Sequence, residues 1–286
     1  MKNVRRFLHP VILIMATGCT SVVDVPRKLT MAQANQNIRE IAIPALKKDA
    51  AMLKAFRFNP PTPQMGDLWG ALDRQTDTAT GKAPLLRVTS PKDNTEMAIV
   101  AIWMRWRILS KNADFRYSYA HASNLHRTKE PSGAIQKEAV NFFFHARLAL
   151  RIDGAHCVDQ SSPQSIGLRY ETNEYLRQLY AYIAAMPKKD KANAMLTAAA
   201  IEEIRDERPL MSDLCTQGTR TVLRALQSGV QPEPISPTDP RAPNSPGRNF
   251  IVDASKFEPE VLSHDAWLTR RREIIDSFIQ QAIDLL

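Results

Sequence analysis

Prolines divide this chain, and the stretches between them repeat apolar residues at helical spacing. Pro60, Pro61 and Pro63, then Pro131, Pro163, Pro187 and Pro209, each fall where an apolar pattern stops or starts. Proline cannot donate a backbone hydrogen bond and clashes with the preceding turn, so it tolerates helix starts and ends helices that run into it. Between the prolines, Ile99, Ile102, Trp103, Trp106 and Leu109 recur at helical intervals, as do Ile135, Ala139, Phe142, Phe143, Ala146 and Leu150. That is the apolar face of a helix rather than the alternation of a strand. With 19 prolines and 10 glycines, the joints are stiff and tight hairpins are few. The expected fold class is all-α: an irregular multi-helix domain, not a simple four-helix bundle.

Individual elements follow from local signals. Thr30 suits the cap of a helix running to about Phe56, which Pro44 should kink or divide. A short helix is expected over Gly66–Arg74. Residues 75–93 read as a polar loop, with a brief extended piece over Leu85, Leu86, Arg87 and Val88. Asn94 or Thr95 can cap the next helix, on which Arg105, Arg107 and Lys111 face away from the apolar side. Residues 112–127 stay ambiguous: Phe115, Tyr117 and Tyr119 alternate as in a strand, while Ala and His neighbours suit a helix. Ser132 is a good cap for the helix ending at Asp153-Gly154. Ser162-Pro163 opens another that Pro187 ends. Two more run from about Asp190 to Glu207 and from Ser212 to Gln227, the latter stopped by Ser228-Gly229. The helical domain thus covers residues 30–229. Six prolines from Pro232 to Pro246 make residues 230–250 an extended linker. Residues 251–286 carry a C-terminal amphipathic helix from about Glu258.

The N-terminus reads as an address. Lys2, Arg5 and Arg6 precede a short apolar stretch, Phe7 to Met15, and then Ala16-Thr17-Gly18-Cys19. About nine apolar residues are too few to span a bilayer, which takes roughly 20. Charge, short apolar run and small residues together make a removable signal peptide over residues 1–18. Small residues directly before a cysteine resemble the lipobox of bacterial lipoproteins. That resemblance covers residues 1–19 alone. It implies lipidation of Cys19, a tether over residues 19–29, and a lipid-anchored protein of the cell envelope. Thr20 at the next position implies the outer membrane, facing the periplasm, in a host with two membranes.

Two further cysteines remain, Cys157 and Cys215. In an exported chain they suggest a disulfide. The alternative is two separate buried thiols, since Cys215 also falls on an apolar stripe with Met211, Gly218 and Val222. Removing residues 1–18 takes three of the 38 basic side chains and no acid, leaving 35 against 30, a net +5. That mild excess suits anionic envelope surfaces, and no Lys/Arg stripe interleaved with stacking aromatics points to nucleic acid.

Catalytic and cofactor motifs are lacking, so no cofactor and no metal site are expected. Three constellations remain. Glu138, Asn141 and His145 share one helix face, where a carboxylate beside an imidazole can do acid–base work; as structure they read as the polar flank of an amphipathic helix. Asp153, His156, Cys157 and Asp159 gather zinc-ligand types in one loop, at a spacing that matches no familiar site. Glu202, Glu203, Asp206 and Glu207, interleaved with Arg205 and Arg208, read as a solvated surface. On the last helix, Trp267, Phe278 and the basic block Arg270, Arg271 and Arg272 form a candidate surface for a partner or a membrane, or else close the protein's own core. The expected function is that of a membrane-anchored envelope lipoprotein that binds or scaffolds a protein partner without catalysis. The alternatives are a surface-binding module for anionic glycans or lipid, and a periplasmic hydrolase-type enzyme acting through Glu138, His145 or His156.

Overall fold

Helix formation begins at the first cap the sequence offers. The Thr30 hydroxyl accepts the Gln33 amide at 3.3 Å, and the Gln33 side chain accepts the Thr30 amide at 2.9 Å, closing a capping box. A computed structural model describes residues 28–76, 94–110, 113–128, 133–171, 174–205, 212–215, 218–234, 250–252 and 257–286. The expected signal peptide, Cys19 and most of the expected tether therefore lie outside the described residues. So do the extended piece at 85–88, Ser132, Asp206, Glu207, Arg208 and the middle of the Pro-rich linker.

The described chain is all-α in character. α1 (Met31–Asn37) runs through a π-helical segment (Ile38–Ala42) into α2 (Ile43–Phe58). Pro44 explains the interruption. It has no amide hydrogen for the carbonyl four residues back, so the ladder widens just before it and the Ile43 amide bonds the Ile38 carbonyl. The expected division at Pro44 is thus absorbed within a continuous helix. Next come α3 (Pro63–Thr76), α4 (Asn94–Leu109), α5 (Phe115–Arg127), α6 (Ala134–Gly154), α7 (Ser161–Glu171), α8 (Glu174–Ala185) and α9 (Lys188–Glu203). A single turn α10 (Ser212–Cys215), α11 (Thr219–Gln227), a two-residue pair β1 (Glu233–Pro234) and β2 (Phe250–Ile251), and α12 (His264–Ile283) complete the order.

The ambiguous stretch is helix α5. Phe115, Tyr117 and Tyr119 mimic a strand because this helix is enclosed, and residues on opposite sides of it are buried alike. The Asp114 carboxylate caps it, accepting the Arg116 amide at 2.7 Å. α6 is the spine: α5, α7, α9 and α12 all pack on it, and most of its length is buried. It opens at Gly133, whose φ of 72° is left-handed and strains any residue with a Cβ.

Two sequence expectations about the C-terminal third are corrected. The helix expected from Ser212 to Gln227 is two helices. Gly218 is extended, and the first amides of α11 are capped from a distant loop: Asp159 accepts the Arg220 amide at 2.6 Å, and the Ser161 hydroxyl accepts the Thr219 amide at 2.8 Å. A Cβ on Gly218 would lie 2.3 Å from the Asp159 carboxylate. At its other end α11 stops as expected. Gly229 is left-handed at φ 89°, its amide bonds Leu226 and the Val230 amide bonds Ala225, a Schellman close. The linker, for its part, is not a simple extended spacer. Its ends pair antiparallel, Glu233 opposite Ile251 and Pro234 opposite Phe250, so the chain returns on itself before α12.

The 156–161 loop ties these parts together. Cys157 is bonded to Cys215, and the Val158 amide and His156 carbonyl pair with Glu260 and Leu262 on the lead-in to α12. α12 then closes the core against α6, α9 and α1. Trp267 and Phe278 are each 4% exposed, and Trp267 donates its ring N–H to the Ile152 carbonyl at 3.1 Å. Both side chains are packed into the protein's own core rather than standing on a free helix face. Among the described residues no helix is long and apolar enough to cross a membrane.

The disulfide closes a sequence separation of 58 residues. Chain entropy makes that worth about 4 kcal/mol. Cys215→Ser should lower the unfolding free energy by about that amount in urea. An unchanged midpoint would show that the Asp159 cap and the core hold this end without the bond.

Candidate functional site

Among the described residues, Glu138, His145, Glu202 and Arg205 do not line a cleft. They are drawn into the middle of the bundle, where two linked polar clusters flank α6. The first is centred on Arg105 of α4, 3% exposed. Every residue from Ala98 to Arg105 is buried, so α4 has no solvent side in this stretch for Arg105 to occupy. Its guanidinium reaches Asp49 of α2 at 2.7 Å and Glu138 of α6 at 2.8 Å. His121 of α5 stands 3.7 Å from Glu138, an electrostatic contact too long for a hydrogen bond, and meets the Phe142 ring edge-on at 4.4 Å.

The electrostatics follow from burial. Loss of water raises the Asp49 carboxyl above its ordinary value, against the pull of Arg105. Burial pushes Glu138 the same way, but Arg105 and His121 together outweigh it and hold that carboxyl low. Burial pulls the His121 imidazole below its ordinary value, against the raising influence of Glu138.

The second cluster lies two turns further along α6, at His145. His145 is fully enclosed. Its Nδ1 is 2.7 Å from the Ser118 hydroxyl of α5, and its Nε2 is 3.1 Å from Arg205 and 3.4 Å from Glu202. An arginine can only donate, so Nε2 accepts and the ring proton sits on Nδ1, given to Ser118. Arg205 also donates to the Ala113 carbonyl and stands 3.5 Å from Glu202. Arg271 of α12 reaches in to the Glu202 carboxylate at 3.3 Å and its carbonyl at 2.9 Å, while Arg272 pairs with Glu203 at 2.9 Å on the exposed side.

Several sequence readings change here. Glu138, Asn141 and His145 are not a polar flank: all three are buried. Glu202 and Arg205 are not a solvated surface, at 0% and 1% exposed. Arg105 does not face away from the apolar side. The 153–159 loop is structural: Cys157 is in the disulfide, Asp159 caps α11, and His156 stacks on Trp267 at 4.2 Å. Among the described residues no group of three or more His, Cys, Asp or Glu side chains is placed to hold a metal ion. Asp49, His121 and Ser118 were not singled out in the sequence. The one signal for such partners was an arginine inside an apolar run, which needs a buried carboxylate somewhere.

Ser118, His145 and Glu202 contain the residue types of a hydrolytic triad, in an arrangement that cannot work as one. All three are 0% exposed, and Arg205 occupies the space beside Nε2. A nucleophile needs a reacting carbonyl about 3 Å away together with donors for its oxygen, and here that volume is filled by the core. The chain matches no known protein family, no curated protein and no solved structure.

Two predictions follow. Glu138→Ala leaves Arg105 one carboxylate short in the interior and should cost about 3–5 kcal/mol of unfolding free energy in urea. Replacing Asp49, Arg105 and Glu138 together with Leu, Met and Leu should recover most of that loss; failure to recover it would mean that the ion cluster itself stabilises the fold. For pH, a histidine held below its unfolded value of 6.5 contributes stability that is complete above 6.5 and lost as pH falls below it. The urea midpoint should therefore drop from pH 7 to pH 5.5, and His121→Gln should shrink the drop.

Proposed function

We propose that this protein is a lipid-anchored component of a bacterial cell envelope that acts by binding a protein partner rather than by catalysis. The observation that carries this reading is the enclosure of its acid–base groups. Glu138, His145 and Glu202 are all within the core, engaged by Arg105, Ser118, Arg205 and Arg271. Groups that substrate cannot reach serve the fold, which leaves the outer surface as the working part.

The address rests on the N-terminal charge, the short apolar run and the Ala16-Thr17-Gly18-Cys19 resemblance. The Cys157–Cys215 bond supports it, because structural disulfides persist in oxidising compartments outside the cytoplasm. Large apolar side chains left exposed, Phe58 at 65%, Ile41 at 52% and Leu223 at 51%, are sites where a partner would gain the most from contact.

Intact mass of the protein extracted from its native membranes tests the address. The expected species begins at Cys19, carries acyl mass and gains two hydrogens on reduction. A full-length, unmodified mass would overturn the anchoring. Photo-crosslinkers at positions 41, 58 and 223 in cells should then join the same envelope protein repeatedly; no adduct from any of the three would count against a partner at these sites.

A further inference from the structure

Two depressions that share Arg151 open beside α6, one on its seam with α12 and the other between α6, α7 and the Arg270 end of α12. One, of about 300 Å³, is lined by Arg147, Arg151, Phe144, Met195, Phe278 and Leu285, with Gln281 at its side. The other, of about 430 Å³, continues past Arg151 to Arg270 on α12. Neither lining contains a carboxylate. Both volumes fall within the range of small-ligand sites.

The charges here are arranged differently from those elsewhere on the same elements. Arg271 and Arg272 are answered by Glu202 and Glu203, and Arg270 by Glu273 at 2.9 Å. Arg151 has no acidic partner among the described residues, and it lies one helical turn beyond Arg147, whose guanidinium sits 5.8 Å from the Tyr180 ring centre. Like charges at this spacing destabilise a helix unless something neutral or opposite intervenes. Partial burial, and then the Arg147 charge, pull the Arg151 guanidinium below its ordinary value. The floor beside this pair is apolar and well packed: Phe144 and Phe278 meet edge-on at 6.5 Å. A cationic rim over an aromatic floor suits a ligand with one anionic end and one hydrocarbon end.

We propose that the α6–α12 seam binds a single anionic amphiphile, its carboxylate or phosphate head between Arg147 and Arg151 and its alkyl chain over Phe144 and Phe278. A guanidinium is a planar fork that matches either head group. The hydrocarbon part supplies binding energy in proportion to the apolar area it covers, and the arginines select its sign. This site is independent of the lipid on Cys19.

The test uses the full chain carrying Cys19→Ser, which cannot be acylated. Titration calorimetry with dodecanoate, below its micelle concentration, should show one site per chain. Arg151→Glu should weaken it about ten-fold or more, and Leu285→Asn should weaken it without disturbing the helical circular dichroism. Dodecyltrimethylammonium should not bind. The proposal fails if dodecanoate does not bind, if Arg151→Glu leaves its affinity unchanged, or if the cationic detergent binds as well. Inorganic phosphate binding as tightly as dodecanoate would also overturn it, in favour of a simple anion site. Each arm reads the seam alone, so its failure is distinct from a failure of the anchoring or the partner.

Discussion

Arg105 sets the terms for the interior. A guanidinium without water is among the most costly groups to bury, and it cannot shed its charge to escape. Carboxylates on two other helices answer it, Asp49 from α2 and Glu138 from α6. Because α4 is apolar on every side in this stretch, hydrophobic packing alone would let it rotate or slide at little cost. The two ion pairs allow one angular setting and one height. Breaking either leaves a charge stranded, so the cluster works as a register pin even where its net contribution to stability is small. It ties elements that lie 56 and 33 residues away along the chain.

α6 carries the same logic down its length. Glu138 and His145 are seven residues apart, two turns on one side, and each meets an arginine from another segment, Arg105 on α4 and Arg205 just past the end of α9. Glu202, Arg205 and Arg271 bring α9 and α12 into that second cluster. The three carboxyl groups of Asp49, Glu138 and Glu202 face the three guanidinium groups of Arg105, Arg205 and Arg271. The polar spine therefore orients the helices while adding little net charge to the core. It also holds Glu138, His145 and Glu202 inside the core, away from solvent.

The C-terminal third hangs from one loop. Residues 156–161 supply a disulfide half, the cap of α11 and a strand-like partner for the segment before α12. Trp267 then seats under Ile152 and His156. β1 and β2 pair antiparallel ahead of α12, whose apolar stripe lies on the core. A stripe of that width left open would invite association; folded back, it closes the core.

Fold class was legible because helical periodicity and proline punctuation are local. The Thr30 cap, the Gly229 stop and the apolar face of α6 depend on residues a few positions apart, and each appeared where its chemistry required. The buried clusters were not legible. Glu138, His145, Glu202 and Arg205 are the same residue types that decorate exposed helix faces, and only their neighbours from distant segments decide otherwise. Periodicity reports one apolar face; it cannot reveal that a helix such as α4 or α5 is buried on nearly every side. Sequence by itself determined the helical class, most helix positions, local caps such as Thr30 and the cysteines available for a bond. Tertiary structure decided which charges lost their water, because desolvation depends on what packs around a group and not on its place in the chain.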